Sequence, residues 1–190
     1  MRSTFALLAN TEVYNLVRHL SWEMHSACHT GTTHCRLEPH ISLKQTFHID
    51  DLDALEAYMA ELAASIQPFD VTLTELQVQS TFVDGIDYGI LWIAVDESDK
   101  LCGLHNRLND ELHQRFGDTR AQFDGPDYRF HMTVMIGGQP VEVYRQYLAT
   151  LPTPRVDLRF TVRTLAMFVY DEPFGPDSDY LSYKILPLGA

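Results

Sequence analysis

Basic residues are scarce in this chain. Of its 190 residues, 14 are lysine or arginine against 26 aspartate or glutamate, a formal net charge of −12 with neutral histidines. A nonspecific nucleic-acid coat needs a basic footprint, so this balance argues against duplex binding. It leaves room for an anionic substrate in a small basic cleft. Cysteine is scarce too. Cys28, Cys35 and Cys102 cannot all pair within one chain, so a reduced, cytoplasmic protein is expected. No apolar run reaches the roughly 18 residues of a membrane span, and no membrane contact is expected. Met1-Arg2-Ser3-Thr4-Phe5 lacks the apolar stretch and cleavage site of a secretory signal. Low-complexity stretches and long linkers are missing; Phe174-Gly175-Pro176-Asp177 is the most loop-like stretch outside turns. What is present is a 45% hydrophobic chain, long enough for one domain or two small lobes, and nine histidines.

The apolar pattern alternates between periods. Phe5 to Leu8 reads as a strand, and Asn10-Thr11 as the cap of a helix carrying Val13, Leu16, Val17, Leu20, Met24 and Ala27 on one face. Leu37 to Phe47 reads as a strand. Asp50-Asp51 caps a helix with Leu52, Leu55, Met59, Leu62 and Ile66 at helical spacing. A third strand starts at Phe69, and a phase slip predicts a bulge near Thr74-Glu75. Asp84-Gly85 is a turn signal, after which the order begins again. Tyr88 to Val95 is a strand, Leu101 to Phe116 a helix stopped by Gly117, and Arg129 to Ile136 a strand. Pro140 opens a short helix, and strands follow from Val156, Leu165 and Tyr180. The pattern predicts an α+β fold of two pseudo-symmetric lobes, about 1–83 and about 88–190. Each lobe is an antiparallel-type sheet with helices on its outer face, and a cleft lies between them.

The middle strand of each half carries matching residues: His40-Ile41-Ser42-Leu43 and His131-Met132-Thr133-Val134. Strand residues two apart share a face, so His40 and Ser42 stand together, as do His131 and Thr133. The same parity adds Lys44 and Arg129. An imidazole titrates near neutrality, so one can act as base and the other as acid. Hydroxyls and cations can hold nonbridging phosphate oxygens. In-line displacement at phosphorus needs that pair on opposite sides and requires no metal. The alternative is two strand histidines with satisfied hydrogen bonds and no reaction. His19-Leu20-Ser21-Trp22 fits the same pattern, but in a helix, where residues two apart diverge by about 200°.

These paired motifs, one in each half, resemble those of the 2H phosphoesterase superfamily, which includes 2′-5′ RNA ligase-like proteins and cyclic nucleotide phosphodiesterases. Pro39-His40-Ile41-Ser42-Leu43-Lys44, with Phe47, is especially similar to the 2′-5′ RNA ligase-like branch. The resemblance implies a two-lobed α+β fold whose four motif residues face a central cleft. It also implies metal-independent cleavage or formation of a 2′-linked phosphodiester, often through a 2′,3′-cyclic phosphate. His40 and His131 match the acid/base pair, Ser42 and Thr133 the phosphate-binding hydroxyls. Which histidine is base stays open, since the roles reverse with reaction direction.

Lys44 and Arg129 are candidate phosphate contacts; pairing with Glu38 or Asp127 is the alternative. Arg36 and His34 could line the cleft mouth, and Tyr170, Tyr180 and Tyr183 could stack a base. The expected partner is a nucleotide or RNA end bearing a cyclic or 2′-linked phosphate, bound by a monomer without cofactor. Three rival readings remain. One is a non-catalytic phosphate or RNA-end binding module. Another is a small-metabolite phosphodiesterase. The third is a zinc protein using His25, Cys28, His29, His34, Cys35 and His40.

Overall fold

The computed structural model describes residues 1–83, 85–172 and 179–190. Asp84 and the stretch Phe174, Gly175, Pro176 and Asp177 lie outside the described residues. The helices start where capping chemistry puts them. Asn10 Oδ1 accepts from Val13 N at 2.9 Å to open α1 (Thr11–Cys28), and Asp51 Oδ1 accepts from Ala54 N at 2.9 Å to open α2 (Leu52–Ser65). Ser98 Oγ accepts from Leu101 N at 3.3 Å to open α3 (Asp99–Phe116), which stops at Gly117 with φ 79°. Pro140 precedes α4 (Val141–Thr150). On α1, Val13, Val17 and Met24 are buried as expected, but Leu16 and Leu20 are half-buried and Ala27 is exposed at the last turn. No helix among the described residues is long and apolar enough to cross a membrane.

Among the described residues nine strands pair antiparallel: β1 (Arg2–Leu8), β2 (His40–Ser42), β3 (Phe47–His48), β4 (Phe69–Val83), β5 (Ile86–Val95), β6 (His131–Pro140), β7 (Arg155–Val162), β8 (Thr164–Tyr170) and β9 (Tyr180–Pro187). Their order is β7-β4-β5-β6-β2-β1-β8-β9, with β3 beside β1. The bulge falls where the phase slip put it: β4 shifts register between Leu73 and Leu76 against β5, and between Leu73 and Glu75 against β7. One expected strand is two short ones. The ladder stops at Ser42 because the backbone then turns Lys44 into the interior, and pairing resumes only at Phe47.

The expected boundary, the turn signal at Asp84-Gly85, does not divide the sheet. β4 and β5 form one hairpin, so strands from both sides of that turn share the half-sheet β7-β4-β5-β6. β8 and β9 join β1 in the other half-sheet, β2-β1-β8-β9. The helices cover one face. α1 packs on β6 and α4 on β4 and β5, while α2 packs on β8 and β9. α3 is tied to α2 through Tyr58 Oη to Glu111 Oε2 (3.0 Å) and Arg115 to Glu61 (2.6 Å). Phe5, Leu7, Ile41, Leu43, Met132 and Val134, all with no exposure, turn towards the helices in the main core. The intervening residues turn to the opposite face, where Ala6, Leu8, Leu37, Ala166 and Phe168 form a second, smaller cluster.

Candidate active site

β2 and β6 meet through one antiparallel pair, Ile41 with Met132. Extending that register by one residue each way sets Ser42 against His131 and His40 against Thr133. Ile41 and Met132 are fully buried, so their neighbours lie on the face away from the helices, and all four are half-buried. An antiparallel pair has a local twofold axis, which makes one motif the approximate image of the other. Diagonal neighbours on such a pair have Cα atoms roughly 7–8 Å apart, within reach of one bound phosphate for two imidazoles.

The two rings are held alike. His40 Nδ1 donates to the Glu38 carbonyl at 2.7 Å, and His131 Nδ1 donates to the Arg129 carbonyl at 2.8 Å. A carbonyl only accepts, so each neutral ring keeps its proton on Nδ1 and offers Nε2 for proton transfer. Burial lowers the pKa of His40 to about 4, and the charges of His131 and Arg18 push it the same way. Burial lowers His131 as well, against the hydrogen bond to Arg129. Phe168 and the His40 ring form a T-shaped pair, with centroids 4.6 Å apart at 72°. Trp92, opposite Thr133 on β5, stacks on His131 with centroids 4.0 Å apart at 28°.

A buried polar network behind β2 holds its end in place. Tyr128 Oη donates to the Ser42 carbonyl and His105 Nδ1 to the Leu43 carbonyl, both at 2.8 Å. Thr4 Oγ1 donates to the Lys44 carbonyl at 2.5 Å. Lys44 is a correction to the expected phosphate set. Its side chain has no exposure, its Nζ donates to Asn109 Oδ1 at 2.9 Å, and it forms an ion pair with Asp124. Asp124 also accepts from Gln45 N (3.0 Å) and Ala121 N (3.1 Å). Strand parity ends with the strand at Ser42, which is why two-residue spacing misplaces Lys44. Asp124, Asn109, His105 and Tyr128 were not legible as one unit, since the chain brings them from 62 to 86 positions away in sequence from the groups they bind.

Arg129 stays exposed, 3.6 Å from Glu97. Arg36 is exposed, 3.6 Å from Asp179 and over the Tyr180 ring at 5.7 Å. Tyr170 and Tyr180 lie 5.7 Å apart beside the smaller cluster, on the histidine face. Tyr183 instead donates to Glu56 of α2 at 2.6 Å. His34 is half-buried, and burial brings its pKa to about 4. The histidine–cysteine segment does not converge. His25 Nδ1 accepts from Gly31 N at 3.0 Å, His34 Nε2 meets Cys35 Sγ at 3.3 Å, and His40 turns to the sheet face away from the helices. Among the described residues no group of three or more His, Cys, Asp or Glu side chains could hold a metal ion. The helical look-alike splits as its geometry requires: His19 is exposed beside Glu23, while Ser21 is buried and donates to the Val134 carbonyl at 2.6 Å. Beyond Leu8, which pairs with His40, a cavity of about 380 Å³ is lined by Asn10, Thr11, Thr161, Arg163 and Thr164.

The family model of the 2′-5′ RNA ligase superfamily matches residues 12–173, a span that includes both motifs, and the chain belongs to that superfamily. Among solved structures it is similar to TT0787 of Thermus thermophilus, with TM-score 0.68 and 16% identity over 100% of this chain and 98% of that one. It is similar to E. coli LigT complexed with 3′-AMP, with TM-score 0.63 and 16% identity over 100% and 98%. Usb1 of Kluyveromyces marxianus matches with TM-score 0.52 and 15% identity over 95% and 97%. At these identities the likeness is one of fold. No functionally curated protein matches the sequence.

Proposed function

We propose that this chain is a metal-independent phosphoesterase that cleaves, or reversibly forms, a 2′-linked phosphodiester. Its substrate is a 2′,3′-cyclic phosphate or a 2′-5′-linked nucleotide. The observation that carries this reading is the pseudo-symmetric quartet on one sheet face, with both imidazoles anchored through Nδ1. In hydrolysis of a cyclic phosphate, one neutral imidazole takes a proton from water as its oxygen bonds to phosphorus. The other, protonated, gives its proton to the departing ribose oxygen. Ser42 and Thr133 donate to the nonbridging oxygens, and Arg129 adds positive charge at the rim. The net charge of −12 repels an extended RNA backbone and favours a small or end-bound phosphate. The complex of the LigT neighbour with 3′-AMP fits a nucleotide of that size.

The test is turnover of a panel of 2′,3′-cyclic mononucleotides, 2′-5′ dinucleotides and RNA with cyclic-phosphate ends. His40→Ala and His131→Ala should each lower kcat/KM by about 10²–10⁴-fold with unchanged circular dichroism, and EDTA should leave the wild type unaffected. Equal turnover by both variants and the wild type would overturn the mechanism. Tight binding of a nucleoside 2′-phosphate with no turnover across the panel would make the chain a binding module instead.

A further inference from the structure

The two imidazoles share an anchor but not a neighbour. The indole of Trp92 lies nearly flat on His131, at 4.0 Å and 28°, whereas Phe168 meets His40 at 72°. An aromatic face carries the negative side of the ring quadrupole and attracts a cation, tryptophan more strongly than phenylalanine. Trp92 is itself fixed. Its backbone pairs with Thr133 of β6 and Gln77 of β4. Its Nε1 donates to Gln77 Oε1 at 3.3 Å, and Gln77 donates to Glu75 at 3.1 Å. The indole therefore keeps its orientation whatever the protonation of the ring it covers.

We propose that Trp92 is a positioning residue that holds His131 as the proton-bearing member of the pair and leaves His40 neutral. Combined with the phosphoesterase reading, on which this role in catalysis rests, it makes His131 the acid and His40 the base for cleavage of a cyclic phosphate. The water oxygen bonds to phosphorus and its proton passes to His40 Nε2. The bond from phosphorus to the ribose oxygen breaks, and that oxygen takes the proton of His131 Nε2. Exchange with solvent restores both rings.

The charged groups around the pair favour the same asymmetry. His40 is lowered by burial and further by the charges of His131 and Arg18, and raised by Glu38. For His131 burial is the lowering cause. Arg129, two residues before β6, is drawn towards Glu97 at 3.6 Å. Glu75 of β4 stands behind Trp92 through Gln77. On the helix-covered side, His34 meets the Val134 backbone and Ser21 of α1 donates to the Val134 carbonyl.

The experiment is an NMR titration of the histidine Cε1–H resonances in the substrate-free protein, assigned with His40→Gln and His131→Gln. Wild type, Trp92→Phe and Trp92→Leu are compared. In the wild type, His131 should titrate above His40. In Trp92→Leu its pKa should fall by about one unit, in Trp92→Phe by less, with His40 little moved. The basic limb of the kcat/KM profile for a cyclic phosphate should fall with it. An unchanged His131 titration in Trp92→Leu, or a His40 pKa above that of His131 in the wild type, would overturn the proposal. A wild type that shows the expected titrations but turns over no phosphodiester would overturn the phosphoesterase reading and leave the Trp92–His131 coupling standing.

Discussion

Lys44 illustrates how one side chain can serve the site from behind it. An ammonium with no exposure is stable only when its charge is met, and Asp124, with 4% of its side chain exposed, meets it. Burial lowers the Lys44 pKa while Asp124 raises it, so the interior tolerates the charge only as a pair. Lys44→Met should therefore cost about 3–5 kcal/mol in urea unfolding, because Asp124 is left buried alone. Lys44→Met/Asp124→Leu should regain part of that loss; the Asp124 bonds to the backbone of Gln45 and Ala121 stay broken. KM for a cyclic phosphate should be unchanged in the double variant, as expected of a lysine that does not touch the phosphate. Sequence spacing sets His40, Ser42, His131 and Thr133 on one face because period-two alternation is local and steric. It misplaces Lys44 because the destination of that side chain depends on a carboxylate 80 positions away, which no local pattern announces.

Elements were legible where a capping residue or an apolar period defines them, as at Asn10, Asp51 and Gly117. They were not where a close approach decides the path. Gly89 of β5 lies under Tyr144 of α4, and a Cβ there would stand 2.0 Å from Tyr144 Cδ2. The same tyrosine donates to the Gly137 carbonyl of β6 at 2.6 Å, so one ring fixes α4 against two strands of the half-sheet that carries His131. Gly89→Ala should push that ring out and lower stability by about 1–3 kcal/mol, the usual cost of overpacking. Gly89→Ala/Tyr144→Leu should cost less than the sum of the two single changes, because the smaller side chain makes room for the new methyl. Strict additivity in urea titrations would show that the contact does not govern the packing. A glycine in an apolar strand advertises a close neighbour but does not name it, so this packing waited for the structure.

At the scale of the molecule, the half-sheets exchange strands: β4 leaves the first half of the chain, and β8 and β9 return to β1. A chain-order reading of lobes cannot find that, because long-range pairing follows geometry rather than sequence proximity. Direct pairing of β2 with β6 sets His40 of one half-sheet beside His131 of the other, and burial there has a thermodynamic consequence. His40 and His34 have folded pKa values of about 4, against an unfolded value of about 6.5. Above about pH 6.5 both states hold these rings neutral and stability is intact. Between pH 6.5 and 4 the unfolded chain binds more protons than the folded one, so stability falls as pH falls. Each ring should contribute a loss of about 1–2 kcal/mol between pH 7 and 5, the lower figure allowing for solvent screening of a half-buried group. Urea unfolding of wild type, His40→Gln and His34→Gln at both pH values checks this. Each variant should lose less stability than the wild type over that interval, whatever its stability at pH 7. Parallel losses in all three proteins would mean that these rings are protonated as readily folded as unfolded, and that burial does not hold His40 neutral below about pH 6.5.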